Sequence, residues 1–133
     1  MTAFLDTNIL IYLLDPSATL HDWSVNQLNT CKMSGPAIIS DIVYCEFAVG
    51  MPSQAAVDAA VAQFALERMQ GDDSVLWRAA TAFGQFRAAK GSKTTVLPDF
   101  LIGALAESAG APLITNNPRD FAPFFPALQI IKP

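Results

Sequence analysis

The chain has 133 residues, 52% of them hydrophobic and 15% charged, enough for one compact domain with a sizeable core and too few for two ordinary ones. Its formal net charge of −4 argues against a protein that holds nucleic acid through a broad basic face. The N-terminal run MTAFLDTNIL has no basic segment or small-residue cleavage site, and no apolar run has bilayer-spanning length, so a soluble, cytoplasmic chain with a single domain over 1–133 is expected.

Residues 2–5 form a short apolar run that ends at Asp6, and 8–14 continue with helix-like apolar residues until Asp15-Pro16; this predicts a strand and then a helix. Residues 20–33 place Leu20, Trp23, Leu28 and Cys31 among polar neighbours, which predicts a second helix, stopped by Ser34-Gly35-Pro36. Residues 37–39 read as a buried strand, after which Ser40 caps a helix over 41–49, closed by Gly50 and Pro52. Apolar residues recur at helical spacing over 53–69 and again over 76–90, so two amphipathic helices are expected in succession. Pro98 suits the first turn of a helix reaching about Ala109, ended by Gly110, and 112–115 and 128–131 read as strands.

Strands separated by helices imply a mostly parallel sheet covered on both faces, an α/β/α sandwich. In such a sheet, sites gather beyond the carboxyl ends of the strands. Asp6 falls there after the first strand, and Asn116 and Asn117 fall there after the strand over 112–115.

Three acids stand alone in apolar stretches. Asp6 lies in FLDTN directly behind a strand, with Asn8 able to cap or brace the helix that follows; an ordinary cap is its plainer role. Glu46 lies in IVYCEFAVG, where a carboxylate is costly to desolvate unless it is paired or on a narrow solvent stripe. Asp99 is the one charge between Lys93 and Glu107, at a helix start where the dipole favours any acid. Convergent carboxylates repel: at ~5 Å and an effective dielectric of ~20, each pair costs roughly 3 kcal/mol. A fold that gathers them needs a cation, and all-oxygen ligation selects a hard ion, Mg²⁺ or Mn²⁺, over zinc. Such an ion activates water for attack on a phosphodiester and shields charge on the phosphate.

FLDTNIL, Glu46 in a helix after a strand ending in Ser, LPDFLIGALAESAG and LITNNPRDF resemble, in order and spacing, the four motif segments of the PIN domain as found in VapC toxins. The resemblance covers nearly the whole chain. It implies an α/β/α fold and a divalent-metal-dependent endoribonuclease, with Asp6, Glu46 and Asp99 as catalytic acids and Asp6 and Asp99 as metal ligands. It further implies a VapB-like antitoxin partner, with the first two helices as the expected docking surface, and a homodimer. In the fourth segment, where many relatives carry an acid two residues after the Thr, this chain has Thr115-Asn116-Asn117 and its next acid is Asp120. Asn8, Thr115, Asn117 and Asp120 are therefore supporting candidates, with a second metal in question. Gly103 stands where a small residue is usual.

Other chemistry finds less support. Arg78, Arg87, Lys90, Lys93 and Arg119 are among the basic residues that fall in the C-terminal half, and Arg87, Lys90 and Lys93 are candidates for RNA phosphate contacts. His21 is the only histidine and has no nucleophile signature around it, so it reads as a surface helix residue. Cys31 and Cys45 lack metal or redox spacing and read as buried free thiols, and Trp23, Trp77 and the nine phenylalanines as core. A phosphatase of the haloacid-dehalogenase type needs a second acid where Asn8 stands. A non-catalytic PIN-like module that binds RNA or protein, or an RNA-processing nuclease that is no toxin, are the remaining alternatives.

Overall fold

The computed structural model describes residues 2–90 and 96–133, with Lys90 described by its backbone alone. Five strands form one parallel sheet: β1 (Ala3–Leu5), β2 (Ala37–Ser40), β3 (Glu67–Met69), β4 (Leu113–Ile114) and β5 (Ile130–Ile131), in the order β3-β2-β1-β4-β5. Six helices cover its faces: α1 (Thr7–Leu14), α2 (His21–Lys32), α3 (Asp41–Val49), α4 (Gln54–Gln63), α5 (Asp73–Lys90) and α6 (Leu97–Ser108). This is the expected α/β/α sandwich. A parallel sheet covered on both faces must be apolar along its whole length, and Ala3, Phe4, Leu5, Ile39, Leu113 and Ile114 are almost completely buried.

Most boundaries follow from local chemistry. Ser40 ends β2 and caps α3, its Oγ accepting from the backbone N–H of Val43 at 3.2 Å, as the sequence predicts. Pro98 lies in the first turn of α6, and Gly110, at φ +63°, takes the left-handed conformation that ends it. At α1 the cap is Asp6 and not Asn8, with Asp6 Oδ1 accepting from the backbone N–H of Thr7 at 2.8 Å. Among the described residues no helix is long and apolar enough to cross a membrane.

Residues 53–69 depart from the expected single helix. α4 stops at Gln63, Ala65 turns through a positive φ of 48°, and 67–69 form β3 beside β2, with Ile38 opposite Glu67 and Ser40 opposite Met69. The helix end is fixed from outside, because the Lys32 ammonium on α2 donates to the carbonyls of Phe64 (2.6 Å) and Ala65 (3.0 Å). All three β3 side chains are exposed, so the strand leaves no hydrophobic period to read.

Two side-chain expectations are also corrected. Cys31 is buried but Cys45 is exposed on α3. Trp77 is 72% exposed on α5 and forms no part of the core. Gly103 has a specific role: a Cβ there would stand 2.5 Å from the ring of the fully buried Phe125, so its bare backbone admits the C-terminal segment. Phe125 belongs to an aromatic cluster with Phe83, Phe86, Phe100 and Phe124 that joins α5, α6 and residues 121–125, with neighbouring centroids 4.9 to 6.4 Å apart.

Candidate metal centre at the carboxyl ends of the central strands

The chain runs outward from β1 through β2 to β3, then returns to β4 on the other side of β1. The crevice beyond the carboxyl ends of β1 and β4 is thus the topological switch point of the sheet, where open α/β folds place their ligands. Asp6 follows β1 there, and Thr115 follows β4.

Asp6 is 7% exposed and held on both oxygens. Oδ1 accepts from the N–H of Thr7, and Oδ2 accepts from the Thr115 hydroxyl at 2.7 Å. Burial pushes its carboxyl above the ordinary range; the bonds from Thr115 and Thr7 oppose that shift, while repulsion from Glu46 and Asp120 adds to it. Thr115 is itself fully buried, and its Oγ1 accepts from the backbone N–H of Asn117 at 2.9 Å, which leaves its one proton for Asp6.

Glu46 stands on an exposed part of α3, as the solvent-stripe alternative has it, yet it is not loose. Its Oε1 accepts from the Thr7 hydroxyl at 2.7 Å, so Thr7 engages both acids, Asp6 through its backbone N–H and Glu46 through its side chain. Asp99 lies half-buried in the first turn of α6, with a carboxyl pushed up to about 7. Burial is the largest cause, followed by repulsion from Asp120 and Asp6 and, less strongly, Glu46. Four carboxylates from four separate segments therefore share one field: Asp6, Glu46, Asp99 and Asp120.

Of the supporting candidates, Thr115 is a direct partner of Asp6, and Asp120 on the short 3₁₀ turn η1 (Pro118–Asp120) joins the acid field. Asn117 bonds through its backbone to Thr115 and through Nδ2 to Asn116 Oδ1 at 3.2 Å. Asn8 is half-buried in the first turn of α1. Arg87 is exposed on α5 with its guanidinium 5.8 Å from the Phe83 ring centroid; Lys93 and the Lys90 side chain lie outside the described residues. His21 is half-buried, its Nδ1 2.7 Å from the Tyr12 carbonyl oxygen.

Two partners escaped the sequence reading. Thr7 meets Glu46 across 39 positions, and the Tyr12 hydroxyl accepts from Asn116 Nδ2 at 2.8 Å across 104, so only the fold brings either pair together. The second bond ties α1 to the turn that carries Asn117.

The donor set fits a hard divalent cation. It is all oxygen, and Asp99 carries a repulsion that a cation would relieve. Among the described residues, no three His, Cys, Asp or Glu side chains form a group that could hold a metal ion by themselves. The centre is also distinct from the roomier cavities. One of about 410 Å³, lined by Arg78, Phe86 and Phe124 among others, holds none of these acids.

Comparison with known proteins agrees with this fold. Residues 3–123 match the PIN domain family. The VapBC2 complex of Rickettsia felis bound to a promoter DNA fragment is similar in structure, with a TM-score of 0.77 and 21% identity over 99% of this chain and 98% of that one. VapBC-1 of nontypeable Haemophilus influenzae matches at 0.71 and 22%, over 99% and 98% of the two chains. A toxin–antitoxin complex of Klebsiella pneumoniae matches at 0.66 and 25%, over 98% and 96%. No curated protein sequence matches the chain.

Proposed function

The chain belongs to the PIN-domain family, and we propose that it is a divalent-metal-dependent endoribonuclease acting as the toxin of a VapBC-type pair. The observation that carries the reading is the gathering of Asp6, Glu46, Asp99 and Asp120 at the switch point, where burial first, and then repulsion from the other acids, bring Asp99 to about 7. Asp6 and Asp99 would hold Mg²⁺, with Mn²⁺ as a substitute. When bound, the ion supplies Lewis acidity toward the attacking water and shields charge on the phosphate. Thr115 and the Thr7 amide fix the Asp6 carboxylate in one orientation, and the Thr7 hydroxyl steers Glu46, whose exposed carboxylate orients the attacking water and accepts its proton. Asn117 adds hydrogen bonding and no charge, so Asp120 supplies the fourth acid.

The solved relatives are toxin–antitoxin complexes, and they support a partner for this chain as well. The surface proposed for it is α1 and α2, where Ile11 is 45% and Met33 87% exposed. The partner's docked segment carries a basic side chain, Arg by preference, to the acids, where a bidentate pair with carboxylate is favourable.

The test is cleavage of total RNA in Mg²⁺ or Mn²⁺, with chelation and Asp6→Asn as controls. Cleavage that depends on the metal and on Asp6 is expected. Undiminished cleavage in excess chelator would defeat the mechanism, and a metal-replete protein that leaves total RNA intact would favour a binding module.

A further inference from the structure

A polyanion that enters an acid-lined crevice on a chain of net charge −4 must be met by cations beside the acids, and the fold limits which ones are available. Lys32 is engaged with the carbonyls at the end of α4. Arg68 pairs with Asp41 at 2.6 Å at the β3 edge, and Arg78 pairs with Glu107 at 2.9 Å. Among the described residues, Arg87, Arg119 and Lys132 have no ion-pair partner.

Two of these three belong to segments that border the site. Arg119 is exposed on η1, next to Asp120, whose charge acts on both Asp6 and Asp99. Lys132 follows β5 directly, and the preceding carbonyl, that of Ile131, accepts from the backbone N–H of Thr115 at 3.0 Å, the residue that holds Asp6. The other flank has the opposite character. Helices α1 and α3, which carry Thr7 and Glu46, contain Asp41 and Glu46 and no Lys or Arg.

Resting on the nuclease reading above, we propose that Arg119 and Lys132 contact the substrate phosphates flanking the scissile bond, so that the RNA strand leaves the acids over η1 and the carboxyl end of β5. The strand is not drawn across α1 and α3, where the helices offer it no Lys or Arg and Arg68 is already held by Asp41. Among the described residues neither Arg119 nor Lys132 forms an ion pair with the carboxylates of the site. They therefore act on strand binding and leave the chemical step alone.

The experiment measures kcat and KM at several salt concentrations, on an RNA that the parent is first shown to cut in total RNA. Arg119→Gln and Lys132→Gln should each raise KM with kcat preserved. Each should also make log(kcat/KM) against log salt shallower by about 0.7, the value for one single-strand phosphate contact. Arg68→Gln removes the same charge at the opposite edge of the sheet and should leave the slope unchanged. A parent that cuts no RNA defeats the nuclease reading, and this inference with it. A parent that cuts while the Arg119 and Lys132 variants keep its slope, or while Arg68→Gln flattens it equally, overturns the inference alone. Unchanged melting temperatures in all three variants show that the fold is intact.

Discussion

Asp99 holds a carboxylate where burial and three other acids disfavour its charge. Its folded pKa of about 7 lies above the ordinary value near 4, so the folded state binds the extra proton and, without metal, this group destabilises the fold increasingly as pH rises from about 4 through 7. Asp99→Asn should therefore melt higher than the parent in metal-free buffer at pH 8, and the gap should close as pH falls toward 4. It should also lose most of the stabilisation that Mn²⁺ gives the parent. A helix-start Asp with no partners would behave oppositely, losing ~0.3 to 1 kcal/mol on neutralisation with no change in the metal response. Thr115 gives a second test. Thr115→Val removes the 2.7 Å donor from a buried carboxylate, which should cost about 1 to 3 kcal/mol in urea denaturation. The loss should grow with pH, since the missing bond lets the Asp6 pKa rise further, and Thr115→Ser should restore much of it.

Elements here end where a neighbour makes them end. The transition from α4 to β3 depends on Ala65 adopting φ 48°, a conformation that costs an L-residue roughly 1 to 2 kcal/mol. Ala65→Gly should recover part of that, a gain of several tenths to about 1 kcal/mol after the added flexibility of glycine is counted. A loss on this substitution would mean that the Lys32 contacts do not hold the turn. The contact between α6 and the C-terminal segment has the opposite tolerance. Phe125 cannot retreat from a methyl group at Gly103, because its ring is fully buried, 6.0 Å from the Phe100 centroid and 5.0 Å from the Arg78 guanidinium. Gly103→Ala should cost about 1 to 3 kcal/mol by overpacking, read as a lower denaturation midpoint at constant slope.

For the molecule as a whole, metal binding and folding are linked. A cation that binds only the folded state at about a hundred times its dissociation constant adds about 2.7 kcal/mol, roughly 8 °C in melting temperature for a chain of this size. The parent should show such a rise with Mn²⁺, reversed by chelator, whereas Arg68→Gln should show it undiminished. A melting temperature indifferent to Mn²⁺ would mean that the four carboxylates share a field without forming a binding site.

Local sequence determined the parts whose physics is local. The strand ending at Asp6, the Ser40 cap, the Pro98 start and the Gly110 stop each rest on residues within a few positions of one another, and FLDTNIL and LPDFLIGALAESAG mark the family for the same reason. Tertiary structure decided what depends on distance along the chain. β3 exists because the edge of β2 offers it hydrogen bonds, and Glu46 meets the first motif because α3 brings it to the Thr7 hydroxyl. Cys45 and Trp77 lie outside the core because their helix faces meet no neighbour, whereas Gly103 is required because a phenylalanine 22 positions later needs its space. A residue's type states what it can do, and the field that makes four separate acids one centre arises only when the β1–β4 crevice closes around them.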